Sequence, residues 1–153
     1  MASKLVDERD VRFALFEQLR VQDLCEKTKF KEFSDEVFEM ILTEAQKFAE
    51  NDLFPLNLKG DREGARFDAG KVFSTPGTKK AYGSFVEGGW LTPCESEDCG
   101  GQGMPHAIMT AAHEWFFSAN FPFMCYVNLT HDAAKLIEIF GTEEQKRLYM
   151  QKM

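Results

Sequence analysis

The residues whose spacing could do chemistry gather first in the loop Glu95 to Pro105, ESEDCGGQGMP, an acidic, glycine-rich stretch that opens a helix. Glycines ahead of a helix invite a phosphate, because free backbone amides and the helix dipole both favour an anion there. Gly100, Gly101 and Gly103 do not keep the GxGxxG spacing, no convincing strand precedes them, and no Lys-Ser or Lys-Thr pair follows. Neither dinucleotide nor P-loop chemistry is expected. Glu95, Glu97 and Asp98 would repel a phosphate, so the expected role is a helix-to-helix connection that uses positive φ angles.

The other reactive side chains form no catalytic set. Cys25, Cys94, Cys99 and Cys125 contain no CxxC pair, and Cys94 and Cys99 lack a second ligand pair at zinc spacing, so no metal is expected. His106 and His113 share a helix face and Glu114 follows, but this is not HExxH, and no nucleophile is placed beside either ring. No catalytic residue is read. The richest surface is aromatic: Trp115, Phe116, Phe117, Phe121, Phe123 and Tyr126. Such a stripe is most often core. Asn120, Pro122 and Asn128 interrupt it where a wall for an apolar ligand could form, and Met104, Met109 and Met124 would give that wall an adaptable shape.

Helices must position these residues. Asp7 to Leu19 shows helical periodicity with an acidic first turn, and Val21 to Phe33 reads as a turn plus a short helix. Ser34 is an N-cap, with Phe33 and Phe38 at the two ends of a hydrophobic staple. Val37, Phe38, Ile41, Leu42, Ala45, Phe48, Ala49 and Leu53 continue an apolar face that Pro55 is expected to end. Leu56 to Ser74 reads as a long loop that serves an interface or a binding surface or is partly disordered. Thr75 and Pro76 are expected to open the next helix, which Gly88 and Gly89 end. Pro105 suits the start of a helix apolar on nearly all sides. Ser118, Ala119, Asn120 and Pro122 break it into a hairpin, and the second arm runs to Gly141. Thr142 and Gln145 form a capping box for a last helix. With no strand pattern of any length, the expected fold is all-α, an antiparallel bundle of five or six helices.

Composition narrows the function. At 153 residues, with 44% hydrophobic and 28% charged residues, the chain can bury a core of its own. A formal charge of −7 disfavours nucleic acid, whose phosphates are held by Lys and Arg clusters. The one basic run, Lys27 to Lys31, is flanked by Glu26 and Glu32. No stretch suits a membrane span or a secretory signal, so a cytoplasmic setting is expected.

With the elements in place, a family resemblance emerges. WLTP from Trp90, ESEDCGGQGMP, HEWFFSANFPF and NLTHDAAKLIEIFGTEEQKRLYMQKM together resemble the N-terminal helical domain of the acyl-CoA dehydrogenases. LVDERDVRFALFEQL resembles the extra N-terminal segment of the subgroup that includes 3-methylmercaptopropionyl-CoA dehydrogenases. The resemblance implies an N-terminal extension over 1–33 and the helical domain over 34–153. It also implies that the β-domain with most FAD contacts and the C-terminal helical domain with the catalytic glutamate are missing.

The functional expectations come from the resemblance. The family is an FAD-dependent flavoprotein oxidoreductase group of fatty acid metabolism that introduces an α,β double bond into an acyl-CoA thioester. By position, Phe123, Met124, Val127, Asn128 and Thr130 are implied to line the acyl end of the substrate pocket, with no catalytic role. The chain alone is expected to bind no FAD and to be inactive. It is expected to pack on the missing domains and to self-associate through the apolar face they would cover. The rival expectation is a free-standing helical interaction or oligomerisation module.

Overall fold

The computed structural model describes residues 5–95 and 101–149. Among them are six α-helices: α1 (Glu8–Arg12), α2 (Asp35–Phe48), α3 (Phe54–Glu63), α4 (Thr78–Glu87), α5 (His106–Phe140) and α6 (Glu143–Tyr149). A two-stranded sheet, β1 (Arg66–Asp68) and β2 (Lys71–Phe73), is the one departure from the all-α expectation among the described residues. The chain forms two compact units, Met1–Phe121 and Pro122–Met153.

In the first unit, local signals produce the helix starts. The Asp7 side chain accepts from the amides of Arg9 at 3.0 Å and Asp10 at 3.4 Å, capping α1. A π-helical turn, Phe13–Gln18, extends α1, and two 3-10 turns, Val21–Glu26 and Thr28–Phe30, lead on to α2. Ser34 Oγ accepts from Val37 N at 3.4 Å, and the rings of Phe33 and Phe38 stack at 5.7 Å, as the cap and staple predict. Arg12 Nε donates to Glu39 Oε2 at 2.7 Å, tying α1 to α2.

Pro55 does not end the run as expected. A π-helical turn over Ala49–Leu53 joins α2 to α3, and Pro55 is the second residue of α3, an early position where proline is tolerated. The buried face continues through Phe38, Leu42, Ala45, Ala49 and Leu53. Nor is 56–74 a loop. It holds most of α3 and an antiparallel hairpin in the register Arg66↔Phe73, Phe67↔Val72, Asp68↔Lys71. Ala69 (φ 47) and Gly70 (φ 79) form its two-residue turn, with the paired positive φ that such hairpins require.

The start of α4 also departs from expectation. Its N-cap is Gly77, at φ 105, not Thr75. A side chain there would strain the backbone and stand 2.7 Å from Leu56 Cδ2, so glycine lets α3 and the start of α4 approach. The core centres on Phe116, whose ring meets Trp90 at 5.1 Å, Phe85 at 5.5 Å and Phe48 at 5.9 Å.

The break in α5 falls at a single residue. Asn120 alone leaves helical geometry (φ −157, ψ 85), and no connecting turn separates the two halves. In the second unit, α5 runs on to Phe140, and Gly141 N donates to Ile137 O at 2.8 Å. The capping box closes reciprocally: Thr142 N donates to Gln145 Oε1 at 2.8 Å and Gln145 N to Thr142 Oγ1 at 3.2 Å.

Candidate functional site

The glycine turn works as a support. Residues 96–100 lie outside the described part of the loop, so Cys99 and Gly100 carry no structural statement. Gly103 N donates to Glu95 O at 2.8 Å, Met104 N to Pro93 O at 2.9 Å, and Gln102 Nε2 to Gly89 O at 3.0 Å. These amides are committed within the chain, and the adjacent Glu95 is buried, which does not suit an anion. Gly103 has the expected positive φ of 64. Gly101 serves a different purpose: a Cβ there would collide with the backbone of Glu95, 2.7 Å from its Cα.

Among the described residues, His106 and His113 are placed in no catalytic pairing. His106 is exposed, and the His113 ring is half-buried against Phe117 at 5.9 Å and Phe116 at 6.3 Å. Burial first, and the negative charge of Asp35 second, push the Cys25 thiol above its ordinary pKa, which disfavours the reactive thiolate. Among the described residues, no group of three His, Cys, Asp or Glu side chains is placed to hold a metal ion.

The five candidate wall residues share the stretch of α5 beyond the break, and the structure divides them. Phe123, Met124 and Val127 are buried, while Asn128 and Thr130 are half-buried. Thr130 Oγ1 donates to Tyr126 O at 3.2 Å, the back-bond a helical threonine makes to the preceding turn. Phe121 lies outside this group, 61% exposed. Two open grooves lie elsewhere. One, of about 530 Å³, lies by Arg12, Phe13, Phe16 and Glu39, and the other, of about 420 Å³, lies along Phe54, Leu58 and Asp61 of α3. Neither includes a candidate residue.

One residue has more structural work than the sequence suggests. Asn120 is buried, and its Nδ2 donates to Leu53 O at 3.2 Å. An asparagine two residues ahead of a proline at the end of an apolar run is an N-cap pattern. That pattern announces a break, but it does not announce a partner far away in the chain.

Comparison with known proteins agrees with this architecture. Residues 35–153 match the family model for the acyl-CoA dehydrogenase N-terminal domain. A 3-methylmercaptopropionyl-CoA dehydrogenase from Ruegeria pomeroyi is 31% identical over 145 residues, covering 95% of this chain and 25% of that relative. The chain thus spans about a quarter of the length of the curated relative it matches. No described helix is long and apolar enough to cross a membrane. With its helices, its broken α5 and a match over most of its length, the chain belongs to the acyl-CoA dehydrogenase family, of which it carries the N-terminal domain.

Proposed function

We propose that this chain is the acyl-pocket portion of an FAD-dependent dehydrogenase that forms an α,β double bond in an acyl-CoA thioester. The observation that carries the reading is the family match over 35–153, which includes the whole stretch after the α5 break. In this reading Phe123, Met124 and Val127 shape and dry the wall from within, and Asn128 and Thr130 present the half-exposed surface that meets the acyl chain. An apolar wall orients the thioester and excludes water while other groups do the chemistry. The 3-methylmercaptopropionyl group named for the relative is short, and its thioether suits a wall with one amide among apolar side chains.

FAD supplies hydride acceptance in such a reaction. The described residues do not fit it, because the glycine turn's bonded amides and the buried Glu95 offer no cradle for a pyrophosphate. We assign the flavin and the catalytic base to the three-quarters of a relative-length protein that this chain does not cover. Residues 1–33 then act as an extension fastened by the Arg12–Glu39 pair. The thiols Cys25 and Cys125, which are in no disulfide, fit a reducing, cytoplasmic setting.

The test uses the purified 153-residue chain. The expected result is no flavin absorbance and no dehydrogenation of acyl-CoA; a yellow, active preparation overturns the reading. In a protein that includes the remaining parts, Asn128→Leu is expected to change KM for acyl-CoA while leaving bound flavin unchanged. A second reading, a helical oligomerisation module, is favoured by one observation. Tyr126, Leu129, Leu136, Ile139 and Phe140 are all exposed on α5, an apolar surface of the kind that partners cover.

A further inference from the structure

One helix and the hairpin that follows it in the first unit bury nothing. Over 54–80 no residue is buried, and 61–74 are exposed without interruption. The stretch is nonetheless regular. α3 runs to Glu63, β1 and β2 keep their register, and Thr75 Oγ1 donates to Gly64 O at 3.2 Å, joining the two ends of the hairpin. A two-stranded ribbon with no core beneath it is marginal in water, and a partner surface would complete it.

This stretch exposes apolar and basic groups together. Phe67 and Val72 pair across the ribbon on one of its sides, 72% and 73% exposed. Phe54 and Leu58, one turn apart on α3, are exposed as well. Over 54–80 the chain carries Lys59, Arg62, Arg66, Lys71, Lys79 and Lys80 against Asp61, Glu63 and Asp68, so it is positive within a chain of formal charge −7. Asp68 is already neutralised by Arg66 at 2.8 Å. The complement of such a charge is an anionic surface. The apolar residues are interleaved with the cations: Leu58, Phe67 and Val72 adjoin Lys59, Arg66 and Lys71 in sequence. A protein partner would need a matching pocket and carboxylate at every pair. An anionic bilayer offers hydrocarbon and negative headgroups everywhere, and Lys and Arg stems reach headgroups while apolar neighbours enter the interface.

We propose that residues 54–80 form a peripheral docking surface for an anionic lipid bilayer, with Phe67 and Val72 entering the interface and the neighbouring cations holding the headgroups. This is attachment at a surface, not a span, and it combines the two signals, apolar and basic, that stable attachment needs. It uses none of the residues assigned to the acyl wall, so it stands or falls apart from that reading.

The 153-residue chain is sedimented with vesicles of phosphatidylcholine alone and of phosphatidylcholine mixed with phosphatidylglycerol, beside a vesicle-free control. The expected result is binding to the mixed vesicles only, weakening steeply as salt is raised. Lys71→Glu, Lys79→Glu and Lys80→Glu combined are expected to weaken that binding by about tenfold or more, and Phe67→Ser with Val72→Ser by about tenfold. All five positions are exposed, so the core is untouched, which circular dichroism checks. Ile139→Ser, at an exposed apolar residue of the second unit, is expected to bind as the parent does. Equal binding to both kinds of vesicle, or binding to neither, overturns the proposal. Loss through the charge changes with none through Phe67→Ser and Val72→Ser also overturns it, and marks the stretch as a surface for a soluble polyanion such as an acidic protein. If Ile139→Ser loses as much as the hairpin pair, any exposed apolar group suffices and the proposal is lost.

Discussion

Gly101 shows how a residue without a side chain supports a site. Any Cβ at this position meets the Glu95 backbone, which cannot yield as a flexible side chain would. Gly101→Val is expected to lower stability by about 2–4 kcal/mol, since close backbone contacts and incompatible geometry both act, measured by denaturant unfolding. No nucleotide binding should be lost with it. Ser34 offers a second test. Its hydroxyl first, and the Glu36 backbone amide second, hold the Glu36 carboxyl below its ordinary pKa. A depressed carboxylate contributes stability above its unfolded pKa and loses it as pH falls through the folded value. Ser34→Ala should therefore return the Glu36 titration, followed by NMR, toward the usual carboxylate range, and lower stability at neutral pH while making its fall toward acid shallower. At the candidate site, Phe123, Met124, Val127, Asn128 and Thr130 are legible only through family resemblance. Their division into buried and half-exposed groups is not, because helical periodicity cannot be read through Asn120, where the backbone leaves helical geometry.

At the scale of elements, legibility tracks the range of the signals. The Ser34 cap, the Phe33–Phe38 staple and the Thr142–Gln145 box lie within a few residues of what they stabilise, and all three form as their residues imply. The stretch after Leu53 misleads for two different reasons. Pro55 reads as a stop because the π-helical turn that delivers it to an early helical position leaves no local mark. The hairpin escapes detection because its strands are three residues long, and an alanine fills the first left-handed position of its turn. Its ribbon is balanced on one side by Arg66, which lies 5.0 Å over the Phe73 ring. The α2 face can be tested at a single residue. Phe38 is fully buried, so Phe38→Ala should cost about 3–5 kcal/mol, transfer and cavity terms together, read as a lower denaturation midpoint.

At the scale of the whole molecule, the exposed positions Tyr126, Leu129, Ala133, Leu136 and Phe140 recur every three or four residues along α5. That spacing is the seam a second helix packs against. The 153-residue chain is expected to self-associate as its concentration rises, and sedimentation velocity with the combined changes Leu129→Ser, Leu136→Ser and Phe140→Ser should return a monomer. A parent chain that stays monomeric at every concentration removes this expectation. The bond from Asn120 to Leu53 has another consequence, one of time. It joins residues sixty-seven positions apart. Helical turns form within about a microsecond, whereas distant contacts must wait for the chain between them to close. During refolding, residues 106–119 are therefore expected to become helical before Asn120 meets the Leu53 carbonyl. The local helix comes early, and the bond that spans the sequence comes late.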